Sequence, residues 1–144
     1  MKSHTNGRGG FTLIELIVVI VIAGTLSSVA VVRYRDLRSA TRQAVTKESL
    51  AAMRSAIVLY QTAQAVQTGT PRWPTYAQFR TPGTVLVGKL PPNPYQATNR
   101  APDSVINGNS FPKGRTRGNR GGWVYKQSTG EIWANTTTSR SNTW

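Results

Sequence analysis

A long apolar segment near the N-terminus, interrupted by one acid, constrains this chain more than any other feature. From Phe11 to Val32 the chain runs for 22 residues, and Glu15 is the single charged residue among them. A helix of that length rises about 33 Å, enough to cross a hydrocarbon core of about 30 Å. The segment therefore predicts a membrane-inserted helix.

A cleaved secretory signal is the alternative interpretation of this segment. Such signals have an apolar core of about 7–15 residues, followed by a cleavage site made of small residues. The stretch 26–30, Leu-Ser-Ser-Val-Ala, resembles such a site. The apolar run is longer than an ordinary signal core, which favours the membrane-inserted helix.

An ionised Glu15 is energetically unfavourable in such a membrane-inserted helix. An ionised carboxylate at the bilayer centre costs about 2.5–3.5 kcal/mol even on lenient insertion scales, so a partner that neutralises it is expected. Glu15 also lies only about 6 Å along the axis from Phe11, within reach of the headgroups. From the residues alone, a partnered, a protonated and a headgroup-facing carboxyl all remain open.

The residues around Glu15 resemble the N-terminal motif of the type IV pilin and type II secretion pseudopilin superfamily. Gly10 ends a short basic leader and precedes Phe-Thr-Leu-Ile-Glu and the apolar run, as in the prepilins of that family. The resemblance implies that a prepilin peptidase cleaves after Gly10 on the cytoplasmic side and that the new Phe11 amine is methylated. It also implies that Glu15 pairs with the Phe11 ammonium of a neighbouring subunit, so that two costly charges compensate inside an apolar bundle.

The helical pattern continues well past the apolar segment. Neither Gly nor Pro occurs from Arg33 until Gly69, which predicts a helix that ends near Val66. One apolar stripe comprises Leu50, Met53, Ile57 and Tyr60. A second comprises Ala52, Ala56, Leu59, Ala63 and Val66. We expect the first stripe to pack under a small sheet, whereas the second is either core as well or a surface for close approach between helices.

The predicted fold class is α+β, with a long N-terminal spine helix and a small C-terminal antiparallel β-sheet domain, similar to type IV pilins. Four parts are predicted: a cleaved leader at 1–10, a transmembrane and filament-core segment at 11–32, a soluble helix at 33–67, and a small β domain at 68–144. The strongest strand signal is a hairpin formed by 122–126 and 131–135, with glycine in its turn. Further strands are expected around 84–87 and near Val105.

The connecting segments carry more local signals. Thr75 follows Pro74 and is a candidate N-cap for a short helix. The proline-rich stretch 90–95 predicts a stiff surface turn pinned by Leu90 and Tyr95. Residues 96–122 are expected to form a long loop, mobile or held against neighbours, and the tail from Thr136 is expected to be flexible up to the terminal Trp144.

Charge is the second unusual feature, with 18 Lys and Arg against 5 Asp and Glu and a net charge of +13. Arg33, Arg35, Arg38 and Arg42 follow the apolar segment, where contact with lipid headgroups is the simplest explanation. This flank is more basic than the leader, with its Lys2 and Arg8, so charge bias alone argues against a cytoplasmic N-terminus. The leader motif is the more specific signal, and we keep the cytoplasmic orientation.

A second basic cluster occupies the late loop. Arg115, Arg117 and Arg120 alternate with glycine and polar residues beside Trp123, a composition typical of surfaces that bind phosphates and stack bases. The loop therefore suggests binding of DNA or another polyanion. A solvated basic loop that complements acids on a neighbour or on a polysaccharide is the alternative.

Catalysis, cofactors and metals find little support. The chain has no cysteine, which excludes a disulfide framework and a thiolate metal site. His4, the single histidine, falls in the leader, and Asp103 and Glu131 are too few acids for a calcium site. We predict no enzyme, no catalytic residue, no cofactor and no metal.

The resulting hypothesis is a structural subunit of a type IV pilus-like filament or of a type II secretion pseudopilus. Its expected partners are further copies of itself, the prepilin peptidase, an inner-membrane assembly platform and, before assembly, the lipid bilayer. It would reside in the bacterial inner membrane with a single span and then in an extracellular or periplasm-spanning filament. A pilin that binds DNA through its basic loop is the alternative. A minor tip subunit is disfavoured, because the resemblance implies that tip-type subunits often lack the acid that this chain has at Glu15.

Overall fold

A computed structural model describes residues 10–144 of the chain. Its helices are α1 (Leu13–Thr68) and α2 (Tyr76–Arg80), and its strands are β1 (Val105–Asn107), β2 (Trp123–Lys126) and β3 (Glu131–Ala134). Short 3₁₀ segments occupy Thr98–Arg100 and Thr138–Thr143. The predicted leader, apart from Gly10, lies outside the described residues.

The chain forms two units, Met1–Ser39 and Ala40–Trp144. The described part of the first is the N-terminal portion of α1, whose large apolar side chains are all exposed. The second contains the hydrophobic core, and the helix, the sheet and the loops of this unit contribute to it. The α+β class with a long N-terminal helix and a small C-terminal sheet is confirmed.

The core of the second unit is built on one face of α1. Leu50, Met53 and Ile57 are each at most 1% exposed, and they belong to one cluster with residues of both hairpin strands. Their spacing of three and four places them on one side of the helix, as the first apolar stripe predicts. The second stripe differs, because Leu59 and Val66 are 71% and 82% exposed. Its interpretation as core is therefore wrong for these residues.

The sheet has the order β1-β2-β3. Strands β2 and β3 form the predicted antiparallel hairpin, with Lys126 opposite Glu131. Strand β1 is present near Val105 as predicted, but it pairs with β2 in parallel, so the sheet is mixed rather than purely antiparallel. The long connection 108–122 allows this direction, because parallel neighbours need a crossover of about a dozen residues or more.

The strand expected at 84–87 is absent from the described chain, and that prediction was wrong. The Gly83 amide donates to the Leu86 carbonyl over 2.7 Å and closes a tight turn there. Gly83 has φ of 82°, a conformation that favours glycine. Val87, which a strand would pair, is fully exposed.

Thr75 caps α2 as predicted. Its side chain accepts a hydrogen bond from the Gln78 amide, while the Gln78 side chain accepts one from the Thr75 amide, which completes a capping box. The preceding Pro74 is buried, and its carbonyl accepts a 2.7 Å hydrogen bond from the Tyr125 hydroxyl. Burial, and then the neighbouring Tyr60, raise the pKa of Tyr125, so this phenol stays protonated as a donor.

The C-terminal tail is packed rather than flexible, which corrects the expectation for 136–144. Ser141 is fully buried, and Asn142 donates a 2.7 Å hydrogen bond to the Gly114 carbonyl. Arg54 of α1 donates to the carbonyls of Ile132 and Trp144. Composition suggested mobility here, but these hydrogen bonds join the tail to α1 and to the late loop.

Two buried asparagines organise the loops around the sheet. Asn135 is 2% exposed; its side chain accepts from the Arg117 amide at 2.7 Å and donates to the carbonyls of Arg117, Arg120 and Gly121. Asn93 is 1% exposed and donates to the Gly122 carbonyl at 2.8 Å. These bonds hold the late loop as well as the proline-rich turn, which is therefore pinned by Asn93 in addition to the half-buried Leu90 and Tyr95.

Candidate functional sites

The first candidate site is the start of α1, where the predicted processing and assembly residues lie. The helix begins at Leu13, and Thr12 stands at the N-cap position. The Thr12 hydroxyl accepts from the Glu15 amide at 3.3 Å, while Glu15 Oε2 accepts from the Thr12 amide and hydroxyl, each at 2.8 Å. This is a reciprocal capping box, and the carboxylate also lies in the first turn, where the helix dipole favours negative charge.

The capping box gives Glu15 a partner within its own chain. The spacing of Thr12 and Glu15 in the sequence, Thr-x-x-Glu, is the signal that predicts this capping box. The two hydrogen bonds to Thr12 satisfy one carboxylate oxygen of an isolated subunit but supply no positive charge. A neighbouring cation would still find an exposed acid, since Glu15 is solvent-accessible in the single chain.

The helix that carries Glu15 presents an extensive apolar surface. Exposed fractions include 91% for Phe11, 76% for Leu13 and 44% for Ile17, and the large apolar residues onward to Val32 are exposed as well. By length and composition α1 can cross a membrane. An apolar surface of this extent is typical of residues that contact lipid or other protein chains.

Hydroxyl residues within this surface are satisfied by the helix itself. Thr25 donates to the Ile22 carbonyl at 2.9 Å, and Ser27 donates to the Ala23 carbonyl at 2.7 Å. Ser28 donates to the Thr25 carbonyl at 2.7 Å. Polar groups in lipid must find partners inside the protein, so these hydroxyls are compatible with an apolar environment.

The second candidate site is the basic loop, where the structure places the predicted arginines on the surface. The guanidinium carbons of Arg115 and Arg117 lie 5.6 and 5.4 Å from the centre of the Phe111 ring, within cation–π range. Arg120 is exposed nearby in sequence, and its main-chain carbonyl accepts from Asn135. The arginine side chains are therefore presented on a backbone that Asn135 holds in place.

Trp123 does not belong to this surface, which corrects its prediction as a stacking residue. Its ring is fully buried, and its indole nitrogen donates to the Pro91 carbonyl at 2.7 Å. Trp133 is buried in the same way and donates to the Arg115 carbonyl at 3.0 Å. Both rings support the loops from inside, and Phe111, which sequence reasoning missed, is the aromatic residue beside the arginines.

Other candidate chemistry is limited by burial and spacing. The sequence 135–137, Asn-Thr-Thr, matches a glycosylation acceptor, but the Asn135 amide is buried and engaged in four hydrogen bonds. Within residues 10–144, no three His, Asp or Glu side chains come together as a metal site. His4 lies outside the described residues.

The long apolar helix and the small mixed sheet form an α+β arrangement that is similar to that of type IV pilins. A family model described as the prokaryotic N-terminal methylation motif matches residues 5–31. The type IV narrow pilus major component PilA5 of Thermus thermophilus is 50% identical to the chain over 50 residues. The N-terminal region therefore matches the methylation motif, and the chain is similar to a type IV pilin over part of its length.

The similarity covers part of each protein. The aligned region spans 35% of this chain and 43% of PilA5, so the chain matches less than half the length of that relative. No solved structure shows a significant match. The activities and partners of the whole protein are therefore matters of proposal.

Proposed function

We propose that this chain is a structural subunit of a type IV pilus-like filament. The precursor is held in the bacterial inner membrane by a single span with its N-terminus in the cytoplasm. Prepilin peptidase cleaves between Gly10 and Phe11, the Phe11 amine is methylated, and an inner-membrane assembly platform adds the subunit to a helical polymer of identical copies. The polymer is an extracellular or periplasm-spanning filament.

One observation carries this proposal: every residue from Phe11 to Val32 is exposed, most of them are apolar, and Glu15 is the only charged residue among them. Such a surface is unfavourable in water and needs lipid first and other chains later. Transfer of apolar area from water contributes about 25 cal/mol per Å². When the apolar segment leaves lipid and packs against other subunits, it gains packing contacts but no further hydrophobic stabilisation. A specific polar pair is therefore needed to fix the axial register between subunits.

Glu15 and Phe11 form that pair in the proposed polymer. Cleavage creates an ammonium group at the new N-terminus of Phe11. The Glu15 carboxylate of a neighbouring copy forms an ion pair with this group. A subunit shifted along the axis would leave both charges unpaired in an apolar surrounding, at a cost of several kcal/mol for each ion. The Thr12 hydrogen bonds hold Glu15 in a defined rotamer before the neighbour arrives.

The test separates the charge of Glu15 from its capping role. Glu15→Gln retains an oxygen that can accept from the Thr12 amide, since glutamine also serves in capping boxes, but it removes the negative charge. We expect this variant to insert, to be cleaved and to yield few or no filaments in sheared surface fractions viewed by electron microscopy. Thr12→Val is the matched control, because it weakens the cap and keeps the charge, and it should still form filaments.

Mass spectrometry gives an independent check of processing. Filament subunits should begin at methylated Phe11. Wild-type filament yield from Glu15→Gln, or filaments that contain chains with an intact Met1, would contradict the proposal.

Surface pilus and secretion pseudopilus both fit this architecture. PilA5, the relative from Thermus thermophilus, is a component of a type IV narrow pilus, which favours the pilus. The proteins encoded by neighbouring genes distinguish a pilus machinery from a secretion machinery directly.

Binding of DNA or another polyanion is a second candidate function, supported by the Phe111 region. Arg115 and Arg117 both lie within cation–π range of the Phe111 ring, and Arg120 is exposed in the same loop. Phosphate contacts by arginine release counterions and need no base-reading motif. A filament that repeats this loop would gain from multivalency.

The test replaces Arg115, Arg117 and Arg120 by alanine. The hydrogen bonds of this loop with Asn135 use main-chain atoms and survive the change. Duplex binding should weaken, and the slope of log K against log salt should fall by about 0.9 for each phosphate that an arginine no longer neutralises. A binding isotherm that matches wild type would remove this candidate.

A further inference from the structure

A shallow groove on α1 follows the end of the apolar segment. Ala30, Val31, Tyr34, Arg35 and Arg38 line it, and all five belong to the first unit of the chain. Val31 is 53% exposed and Tyr34 is 67% exposed, and both arginines are exposed too. These side chains share one side of the helix because they are spaced by three or four residues.

The groove is ordered along the helix axis by chemistry. The small, apolar side chains of Ala30 and Val31 form the N-terminal end of the groove, and Tyr34 follows about one turn later. Arg35 and Arg38 form the C-terminal end of the groove, roughly 6–10 Å beyond Val31 along the helix axis at about 1.5 Å per residue. An acyl chain, a glycerol backbone and a phosphate succeed one another in the same order in a phospholipid.

The charges of the groove have no close counter-ion in the part of the chain that the structure describes. No ion pair within residues 10–144 involves Arg35 or Arg38. Asp36 and Arg33 instead line a separate groove with Val32, on the other side of the helix. Two unpaired guanidiniums over an apolar floor match an anionic headgroup in charge, and arginine binds phosphate in a bidentate manner.

We propose that this groove binds an anionic phospholipid while the subunit waits in the membrane, with the phosphate on Arg35 and Arg38 and an acyl chain along Val31. The inference rests on the proposed function, which places 11–32 in the bilayer. It also accounts for a basic flank on the side where the positive-inside bias predicts none. Tyr34 lies at the level where aromatic residues contact the interface.

The experiment measures lipid selectivity of the full-length precursor. The chain has no cysteine, so Ser39→Cys provides a unique labelling position beside the groove. Energy transfer from a donor at this position to acceptor-labelled phosphatidylglycerol, compared with acceptor-labelled phosphatidylcholine, reports which lipid surrounds the helix. Vesicles contain phosphatidylcholine with a rising fraction of phosphatidylglycerol.

We expect a preference for phosphatidylglycerol that falls by up to about fivefold for each arginine removed, the equivalent of about 1 kcal/mol near an anionic surface. Arg35→Gln with Arg38→Gln should abolish most of it. Arg72→Gln with Arg100→Gln is the matched control, because it removes the same charge from exposed positions of the other unit, and it should retain the preference.

Several outcomes would overturn the proposal. These are an absence of preference in the wild type, equal losses in Arg33→Gln and Arg35→Gln, and removal of the preference by inorganic phosphate at constant ionic strength. The last result would identify free phosphate as the ligand.

The same assay separates this inference from the proposed function. The Glu15→Gln precursor should keep the lipid preference even though it does not assemble. A precursor that inserts without selectivity overturns the lipid site alone. A precursor that fails to insert overturns the lipid site and the proposed function together.

Discussion

At the scale of single residues, Asn135 does the most to hold the basic loop in place. Its side chain carries four hydrogen bonds to main-chain atoms of three residues, and 2% of it is exposed. A buried amide that loses its side chain leaves main-chain groups without partners, at about 1–3 kcal/mol for each group. The exposed arginines therefore depend on an asparagine beneath them.

Replacement of Asn135 by alanine should lower the free energy of unfolding by about 2–4 kcal/mol, because the Arg117 amide and several carbonyls lose their partner. Urea denaturation of the 40–144 fragment measures this change. Asn99→Ala is the control, since Asn99 is exposed, and it should stay within about 0.5 kcal/mol of wild type. Equal stability of the two variants would contradict the assigned role.

Residues whose partners are close in sequence could be predicted, and residues with distant partners could not. The Thr75 cap needs only Gln78, three positions away, and it was predictable from Pro74-Thr75. Trp123 bonds to Pro91, 32 positions earlier, and nothing local distinguishes a buried indole from a stacking surface. The basic loop was therefore predictable in its arginines but not in its aromatic component.

Among the elements, the close approach between Gly122, just before β2, and the segment that precedes β1 depends on glycine. A Cβ at Gly122 would lie 1.8 Å from the Pro102 carbonyl oxygen, a main-chain atom that cannot move alone. The Gly122 amide also donates to the Ser104 carbonyl at 2.9 Å, which brings the segment before β1 beside β2. The parallel β1–β2 pair thus requires a residue without a side chain at this position.

Gly122→Ala should therefore destabilise the protein by about 1–3 kcal/mol or more, the usual cost of overpacking. Gly88→Ala is the matched control, because a Cβ there meets no atom within 4 Å, and it should be neutral. Thermal unfolding of both variants measures the difference. An unchanged midpoint for Gly122→Ala would show that the two segments separate freely.

The hairpin was predictable because alternating apolar residues flank a glycine turn, and both signals lie within a dozen residues. The direction of β1 was not, because it depends on the path of the connection 108–122, whose composition carries no periodicity. The failed strand at 84–87 has a local cause, because a hydrogen bond between Gly83 and Leu86 closes a turn there. Sequence patterns predicted the elements more reliably than their pairing.

At the scale of the whole molecule, the chain combines two units with different solvent requirements. Residues of Ala40–Trp144 bury Trp123, Trp133, Tyr125 and Phe79 in their own core. The described residues of the other unit bury no large apolar side chain. Composition predicted parts that end at residues 32 and 67, whereas the two units meet between Ser39 and Ala40.

A fragment of residues 40–144 should fold without detergent. We expect one cooperative thermal transition by circular dichroism and a monomer by light scattering, because the core lies entirely within these residues. The full-length precursor should need detergent, and its tryptophan-detected midpoint should lie within a few degrees of the fragment's. Aggregation of the fragment, or a transition without cooperativity, would show that the core needs the missing segment.

Separation of the two units also bears on how such proteins diversify. Substitutions in the loop 111–120 alter the surface charge of one unit, whereas Phe11 and Glu15, the residues that we propose to determine polymer register, belong to the other. Selection can therefore change the charge of this loop while the residues of the proposed polymer stay constant. Related chains that keep the proposed register residues would then differ mainly in the charge that this loop exposes.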